Sequence, residues 1–312
     1  MNWKIKSLIQ NIVSTLPDSL SHKVYYQIQR NLGGLRKVNP TSRIIAGINI
    51  CKKIHEFSEV VKNKIFFEIG TGRRLNVPLV FYLLGAKKVI TIDSNNYLKT
   101  ELVKEDIQYM KDNYKEVVLL FQGMQLDLNR LKNLLKFSSG NSDVHDIMKF
   151  CNIEYIAPGD ASKTNLPDAS VDFHISYTVF EHIPLEIITN ILREGNRIIS
   201  NNGLFIHKID FSDHFSHSDN SISPINFLQY NYKEWNKYAG NRYMYMNRLR
   251  LDDFKELYKK QGHELLNIET NQDDSIMQVL NDPSFSIDSG FKDKQTDVLC
   301  TKDAWIISKK IS

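Results

Sequence analysis

From Lys64 onward the chain alternates between short apolar runs and stretches of helical period. Ile65–Ile69 is a run of five with one acid, which predicts a strand. Val77–Leu84 has helical spacing and closes at Gly85. Lys88–Ile92 is a second apolar run ending at Asp93, and Tyr97–Tyr114 is again helical. Further strands are predicted at Ile153–Ile156, Val171–Ser176, Gly203–Ile209, Glu264–Glu269 and Ala304–Ser308. Helices are predicted at Pro184–Ser200 and Leu251–Gln261. Strands that alternate with helices predict an α/β fold, a doubly wound, mostly parallel Rossmann-like sheet.

Three regions break the rhythm. Residues 1–60 read as an N-terminal helical accessory segment ahead of one domain spanning 61–312. Trp3, Ile5, Leu8, Ile9, Ile12, Val13 and Leu16 recur at helical spacing until Pro17, giving an amphipathic first helix. Two placements are open to it, docked on the domain or lying on a membrane surface. Arg43–Lys53 is a further predicted helix. An insertion at about 115–150 is helical, with Leu128, Leu131, Leu134 and Leu135 on one stripe. A second, at about 210–247, is rich in Ser, Asn, His and Tyr, and long insertions of this kind often act as lids.

Composition adds bounds. The 312 residues are 42% apolar and 24% charged, enough for a real core. The net charge of +4 is unevenly spread: nine Lys and Arg residues precede Glu56 against the single acid Asp18. That segment suits a solvated helical face or an anionic membrane surface. Cys51, Cys151 and Cys300 form no CxxC pair or zinc pattern, so a reduced, cytoplasmic protein is expected. No signal-like apolar region and no run of membrane-spanning length is seen.

The candidate chemistry begins at EIGTGRR, Glu68 to Arg74, directly after the first strand. Gly70 and Gly72 permit positive φ and close backbone approach to a ligand. No Gly-Lys-Ser/Thr follows, which excludes a Walker A loop, and Leu75 stands where a dinucleotide loop has its third glycine. Glu68 would repel a pyrophosphate but suits a cationic cofactor such as S-adenosylmethionine (SAM). Asp93, at the end of the second strand, is placed to accept hydrogen bonds from ribose hydroxyls. Asp160 and the Ala161 amide, after the third strand, suit an adenine edge.

These elements, EIGTG, then TID, then GDA, then LPDASVDFHISYTVFEHI, resemble the class I SAM-dependent methyltransferases, in order and spacing. The resemblance runs from about Lys64 to the end of the chain. It implies a seven-stranded sheet in the order 3-2-1-4-5-7-6 with the last strand antiparallel. It implies that Glu68, Gly70, Thr71 and Gly72 hold the methionine side of SAM, that Asp93 and Ser94 hold the ribose, and that Asp160 and Ala161 hold the adenine. Ser176 and Tyr177 would line the methyl-transfer site. Arg74 departs from the family, many of whose members have a third glycine there.

Methyl transfer to a hydroxyl needs a base. His214 and His182 are the candidates, since both fall after strands at the ligand-binding edge of the sheet. Asp213 and Asp219 flank His214 and His217 in the same loop. With Asp210 that cluster has metal-ligating residue types, but no recognised metal spacing, so no metal is expected. His217, Trp235 and Tyr243 are candidate acceptor-binding residues, the aromatics offering a platform for a sugar ring or packing as core. DFSDHFSHSD, SISPINFL and NRLRLDDF resemble a type-11-like bacterial branch associated with glycan and polysaccharide genes, which implies O-methylation of a sugar, glycan or related small molecule. A lipid or other metabolite as acceptor, a non-catalytic SAM-binding subunit and an NAD-dependent sugar oxidoreductase remain alternatives. The last would need Tyr-x-x-x-Lys, whereas Glu181 stands four residues after Tyr177. No nucleic-acid partner is expected, because ISYTVF replaces the motif that grips a flipped base.

Overall fold

The computed structural model describes residues 1–57 and 59–311. Three helices come first: α1 (Trp3–Ser14), α2 (Asp18–Asn31) and α3 (Thr41–Glu56). Next are β1 (Ile65–Ile69), α4 (Asn76–Leu83), β2 (Lys88–Ile92) and α5 (Thr100–Asp112). The first insertion holds α6 (Tyr114–Leu120), α7 (Leu128–Leu134) and α8 (Val144–Cys151). β3 (Ile153–Ile156), β4 (Val171–Tyr177), α9 (Leu185–Ile198) and β5 (Ile199–Asp210) follow. The second insertion carries α10 (Tyr232–Ala239) and leads to α11 (Leu251–Lys260) and β6 (His263–Gln272). α12 (Asp274–Leu280), α13 (Thr296–Cys300) and β7 (Thr301–Lys310) complete the order.

The strands form one sheet in the order β3-β2-β1-β4-β5-β7-β6. β1 to β5 pair in parallel, and β7 lies antiparallel between β5 and β6. This is the Rossmann-like arrangement the hydrophobic pattern and the resemblance predict. The parallel strands are apolar on both sides because helices cover both faces. Phe66, Val89 and Phe173 face one core with α3 and α4, while Phe67, Ile90 and Phe205 face the other with α9 and α11.

Three expectations need revision. First, α3 is part of the sheet's cover rather than an accessory: Ile44, Ile50, Cys51 and Ile54 have no exposure at all. Gly47 meets Val80 so closely that an added Cβ would stand 2.8 Å from its side chain. Residue 60 is therefore not a break in packing. Second, in the first insertion Leu131 and Leu134 are buried but Leu128 is exposed, so the leucine stripe is only half a core face.

Third, α1 docks through only the Trp3 and Val13 part of its apolar line, and most of that line is left outside. Trp3, Ser7, Gln10 and Val13 point inward, and Ile5, Leu8, Ile9 and Ile12 point to solvent. Polar contacts make this possible: Ser7 donates to the Tyr238 carbonyl at 2.7 Å and Gln10 to the Tyr25 hydroxyl at 3.1 Å. Trp3 enters a third core, away from the sheet, with Phe215, Phe227, Trp235 and Leu299. The second insertion thus folds around its own aromatic centre.

Candidate functional site

All the expected cofactor positions lie at the carboxyl ends of β1 to β4, where an open α/β sheet binds its ligands. The β1–β2 register sets Glu68 beside Thr91. Thr91 donates to the Glu68 carboxylate at 2.7 Å. Burial pushes Glu68 up to about 7, and the nearby Asp93 adds to that shift. A cationic group beside it would restore its charge.

Gly70 has φ +86°, and a Cβ there would lie 2.4 Å from Val179. Two independent constraints therefore require glycine. Gly72 has φ +72° and donates its N–H to Asp93 Oδ2 at 2.9 Å. Tyr155 donates to the same oxygen at 3.1 Å, leaving Asp93 Oδ1 without a hydrogen bond from the described residues. Burial lifts Asp93 to about 7 against these two bonds. Asp160 turns the chain by accepting from the Ser162 amide and hydroxyl through Oδ1.

Two cavities meet across Gly70 and Val179. One, about 400 Å³, is lined by Glu68, Thr71, Gly72 and Tyr177. The other, about 580 Å³, is lined by Asp93, Ser94, Asp160 and Ala161. An elongated ligand with an amino-acid end and a nucleoside end fits that division. Ser176 is absent from both: it is fully buried on the face of the sheet that holds His174 and His207, since β4 alternates sides. Ser176 is therefore corrected to a sheet residue, and Tyr177 alone of that pair reaches the site.

A third cavity, about 460 Å³, adjoins the first at Tyr177 and Thr178 and the second at His182. It also holds Asp210, His214, His217 and Arg43. The turn after β4 is shared by all three. Thr178 adopts φ +55°, costly for a β-branched residue, and donates its N–H to the Lys208 carbonyl at 2.8 Å. Asn247 fixes the following residues by donating to the Phe180 and Ile183 carbonyls at 2.7 and 2.8 Å.

That turn holds His182 with Nδ1 2.8 Å from the Tyr245 carbonyl, so Nδ1 carries the proton and Nε2 keeps its lone pair. His182 keeps an exposed edge, yet the atoms crowded round its ring and then the facing His214 push it down toward about 4, so it is neutral at pH 7. His214 lies with its ring centre 4.7 Å from that of His182. Its Nε2 is 3.4 Å from Asp210 Oδ2, and His217 Nε2 is 3.7 Å from the same oxygen. Burial opposes the charge on Asp210, yet His214 and the Ser212 donors hold it down to about 2.

The acids adjacent in sequence are not the ones that meet these histidines. Asp213 is fully buried and accepts from the Phe215 amide and Asn226, while Asp219 accepts from the Trp3 amide at 2.7 Å. Trp235 and Tyr243 do not form an acceptor platform. Trp235 is buried in the third core, and Tyr243 stacks on Tyr25 at 3.8 Å, tying the insertion to α2. Tyr and Trp in that segment were needed for packing, a demand that local sequence does not reveal.

The two arginines of the loop divide their work. Arg74 pairs with Asp106 and donates to the Leu102 carbonyl, anchoring α5. Arg73 lies over the rings of Tyr26 and Tyr97 at 5.1 and 5.7 Å, beside the first cavity. Arg43, Thr178, Val179 and Tyr97 line the site without having been foreseen. Thr178 and Val179 carried a sequence signal only as part of the stretch after the fourth strand.

A methyltransferase-domain family matches residues 149–207, from α8 through most of β5, the stretch that carries Asp160, Ala161, Tyr177 and His182. No curated protein matches the chain in sequence. Among solved structures the chain is similar to a Pyrococcus horikoshii protein, with 12% identity, 92% of this chain and 98% of that one covered, and a TM-score of 0.48. It is similar to a SAM-dependent methyltransferase of Methanosarcina mazei at 13% identity, covering 83% and 97%, with a TM-score of 0.44. A third likeness is to a SAM-dependent methyltransferase of Mesorhizobium loti, at 11% identity, covering 83% and 96%, TM-score 0.44. The domain match and the sheet order support a SAM-dependent methyltransferase, with SAM as its cofactor.

Proposed function

We propose that the protein transfers the methyl group of SAM to a hydroxyl of a sugar, glycan or related polar small molecule. The observation that carries this reading is the sharing of the β4 turn by three cavities, with His182 between the nucleoside side and the third. The third cavity presents imidazoles, a carboxylate, a guanidinium and a phenol, groups that hydrogen-bond a hydroxylated acceptor better than a lipid tail. Its openness beside His182 weighs against a purely cofactor-binding subunit.

SAM supplies an activated methyl on a sulfonium. Glu68 and the Gly70–Gly72 amides suit its amino-acid end, Asp93 its ribose, and Asp160 with Ala161 its adenine. His182 holds a bare Nε2 toward the acceptor side and takes the hydroxyl proton there. Tyr177 and Thr178 border the point of transfer and hold water out.

Calorimetry with S-adenosylhomocysteine tests the cofactor assignment. Asp93→Ala is expected to weaken binding at least tenfold; undiminished binding, or none to the wild type, sinks it. With an acceptor assay in hand, His182→Ala lowers kcat by roughly 10²–10⁴-fold with little change in cofactor affinity. Full rate in both His182→Ala and His214→Ala would show that proton removal lies elsewhere.

The exposed apolar line of α1 favours work at an anionic membrane face. Ile5, Leu8 and Ile12 are each more than half exposed, at 54%, 58% and 58%, with Lys4 and Lys23 also in solvent. No helix of the described residues is long and apolar enough to cross a membrane.

A further inference from the structure

β5 runs two residues past its last pair with β4, still paired with β7, and delivers Asp210 to the third cavity, where the loop turns back. Ser212 makes that turn, donating its amide and hydroxyl to Asp210 Oδ1 at 2.8 and 2.6 Å. Oδ1 is thereby occupied, and Oδ2 is left facing His214 and His217. The two imidazoles stack at 4.9 Å, so their edges present together. His214 Nε2 is shut away from solvent and hydrogen-bonds to none of the described residues.

The spacing is that of ligands around an ion. Donors bound at about 2.1 Å in a tetrahedral arrangement stand about 3.4 Å apart. Asp210 Oδ2 is 3.4 Å from His214 Nε2 and 3.7 Å from His217 Nε2. The donor atoms of all three residues lie within 4.8 Å of one another. His217 Nε2 is also 2.9 Å from Ser212 Oγ, a contact that an ion would replace while Ser212 keeps its bond to Asp210.

A second observation points to a missing cation. Glu181 is 2% exposed, and neither of its carboxylate oxygens has a partner among the described residues. It forms a second set of donors with His182 and His214, again within 4.8 Å. A buried acid without a partner is costly, and a cation held beside His214 would compensate it.

We propose that Asp210, His214 and His217 hold a divalent transition-metal ion, with an open coordination position facing the third cavity. Two imidazoles and one carboxylate suit zinc, cobalt, nickel or iron over magnesium and calcium. Three protein ligands with a vacancy are the arrangement of a reactive rather than a structural site. The ion's role toward the acceptor rests on the methyl-transfer reading; the metal site itself does not. In that role an acceptor hydroxyl occupies the open position and becomes more acidic. Its O–H bond breaks and the proton goes to His182 Nε2. The oxygen bonds the methyl carbon as the S–CH₃ bond breaks, the thioether leaves neutral, and the metal keeps its oxidation state. The favoured acceptor carries adjacent hydroxyls that chelate the ion, as carbohydrates do.

The test uses the full chain freed of metal by chelator and titrated with cobalt(II), read by visible absorption, and with zinc and magnesium by calorimetry. One equivalent of cobalt or zinc is expected, with the intense bands of four- or five-coordinate cobalt and at least tenfold weaker magnesium binding. His214→Ala and Asp210→Asn each weaken uptake at least tenfold, while His145→Ala, on the exposed face of α8, leaves it unchanged. Circular dichroism confirms that the variants fold, and zinc raises the melting temperature of the wild type but not of Asp210→Asn. No saturable uptake by the wild type, or uptake equal in folded His214→Ala and Asp210→Asn, overturns the site. S-adenosylhomocysteine calorimetry on the same samples separates the readings. Cofactor binding without metal uptake overturns the site alone; metal uptake without cofactor binding keeps the site and overturns the methyltransferase.

Discussion

Asp93 and Glu68 are acids that burial keeps protonated up to about pH 7 in the free protein. In the unfolded chain both ionise near 4. Between those values the folded state binds the extra protons, so these groups make stability fall as pH rises from about 4 to 7 and add no further change above. Cofactor affinity has the opposite sign, because ribose hydroxyls and an ammonium bind the carboxylates. S-adenosylhomocysteine binding is expected to strengthen as pH rises toward 7, by about tenfold per unit below that value for each group that must ionise, and to level off above it. Calorimetry from pH 5.5 to 8.5 checks this, with Asp93→Asn removing one proton from the slope; a flat profile in the wild type refutes it. His182, already neutral above about 4, imposes no comparable loss on kcat over that range. These acids and the two glycines were legible in sequence because strand ends and turns are local signals. Arg43 and Thr178 were not, since what makes them matter is the approach of α3 and the strain of one turn.

At the scale of elements, α1 shows how period and direction differ. Helical spacing identifies residues that share a face but not which face is covered. Here Trp3 and three polar or small contacts outweigh four large apolar side chains, because Phe215, Trp235 and Tyr238 form the pocket that receives the indole. The outward line is therefore free to meet lipid. In sedimentation with vesicles the protein is expected to bind phosphatidylglycerol but not phosphatidylcholine. The triple change Ile5→Ser, Leu8→Ser, Ile12→Ser should cut binding at least fivefold and leave S-adenosylhomocysteine affinity intact. Equal binding to both lipids, or none lost in the variant, removes the membrane reading. The sheet, in contrast, was legible strand by strand: β1, β2 and β3 coincide with their apolar runs, and β7 lies where the final run places it.

The whole molecule has two cores against the sheet and a third that joins distant parts of the chain. Trp3, Phe215, Trp235, Ile276 and Leu299 meet there. Arg250, fully buried, links the same region by donating to the carbonyls of Phe211, Val298, Leu299 and Thr301. No local pattern announces contacts of such separation, which is why the second insertion read as an open lid. Trp3→Ala is expected to remove about 3–5 kcal/mol from the third core. Hydrogen exchange should then quicken across residues 211–247, with the amides of β1 and β4 still protected. A uniform rise in exchange would mean that the third core is no separate unit.

Order of synthesis gives the Trp3 contact a further consequence. At about 5–20 residues per second, Trp235 is made on the order of ten to fifty seconds after Trp3. Through that interval the indole has no partner, while Ile5, Leu8, Ile9 and Ile12 are bare on the other side of the same helix. A segment made well before its partners is thus among the last to settle. It spends its early life as a sticky tether needing shelter from a chaperone or from the lipid surface its outer line suits.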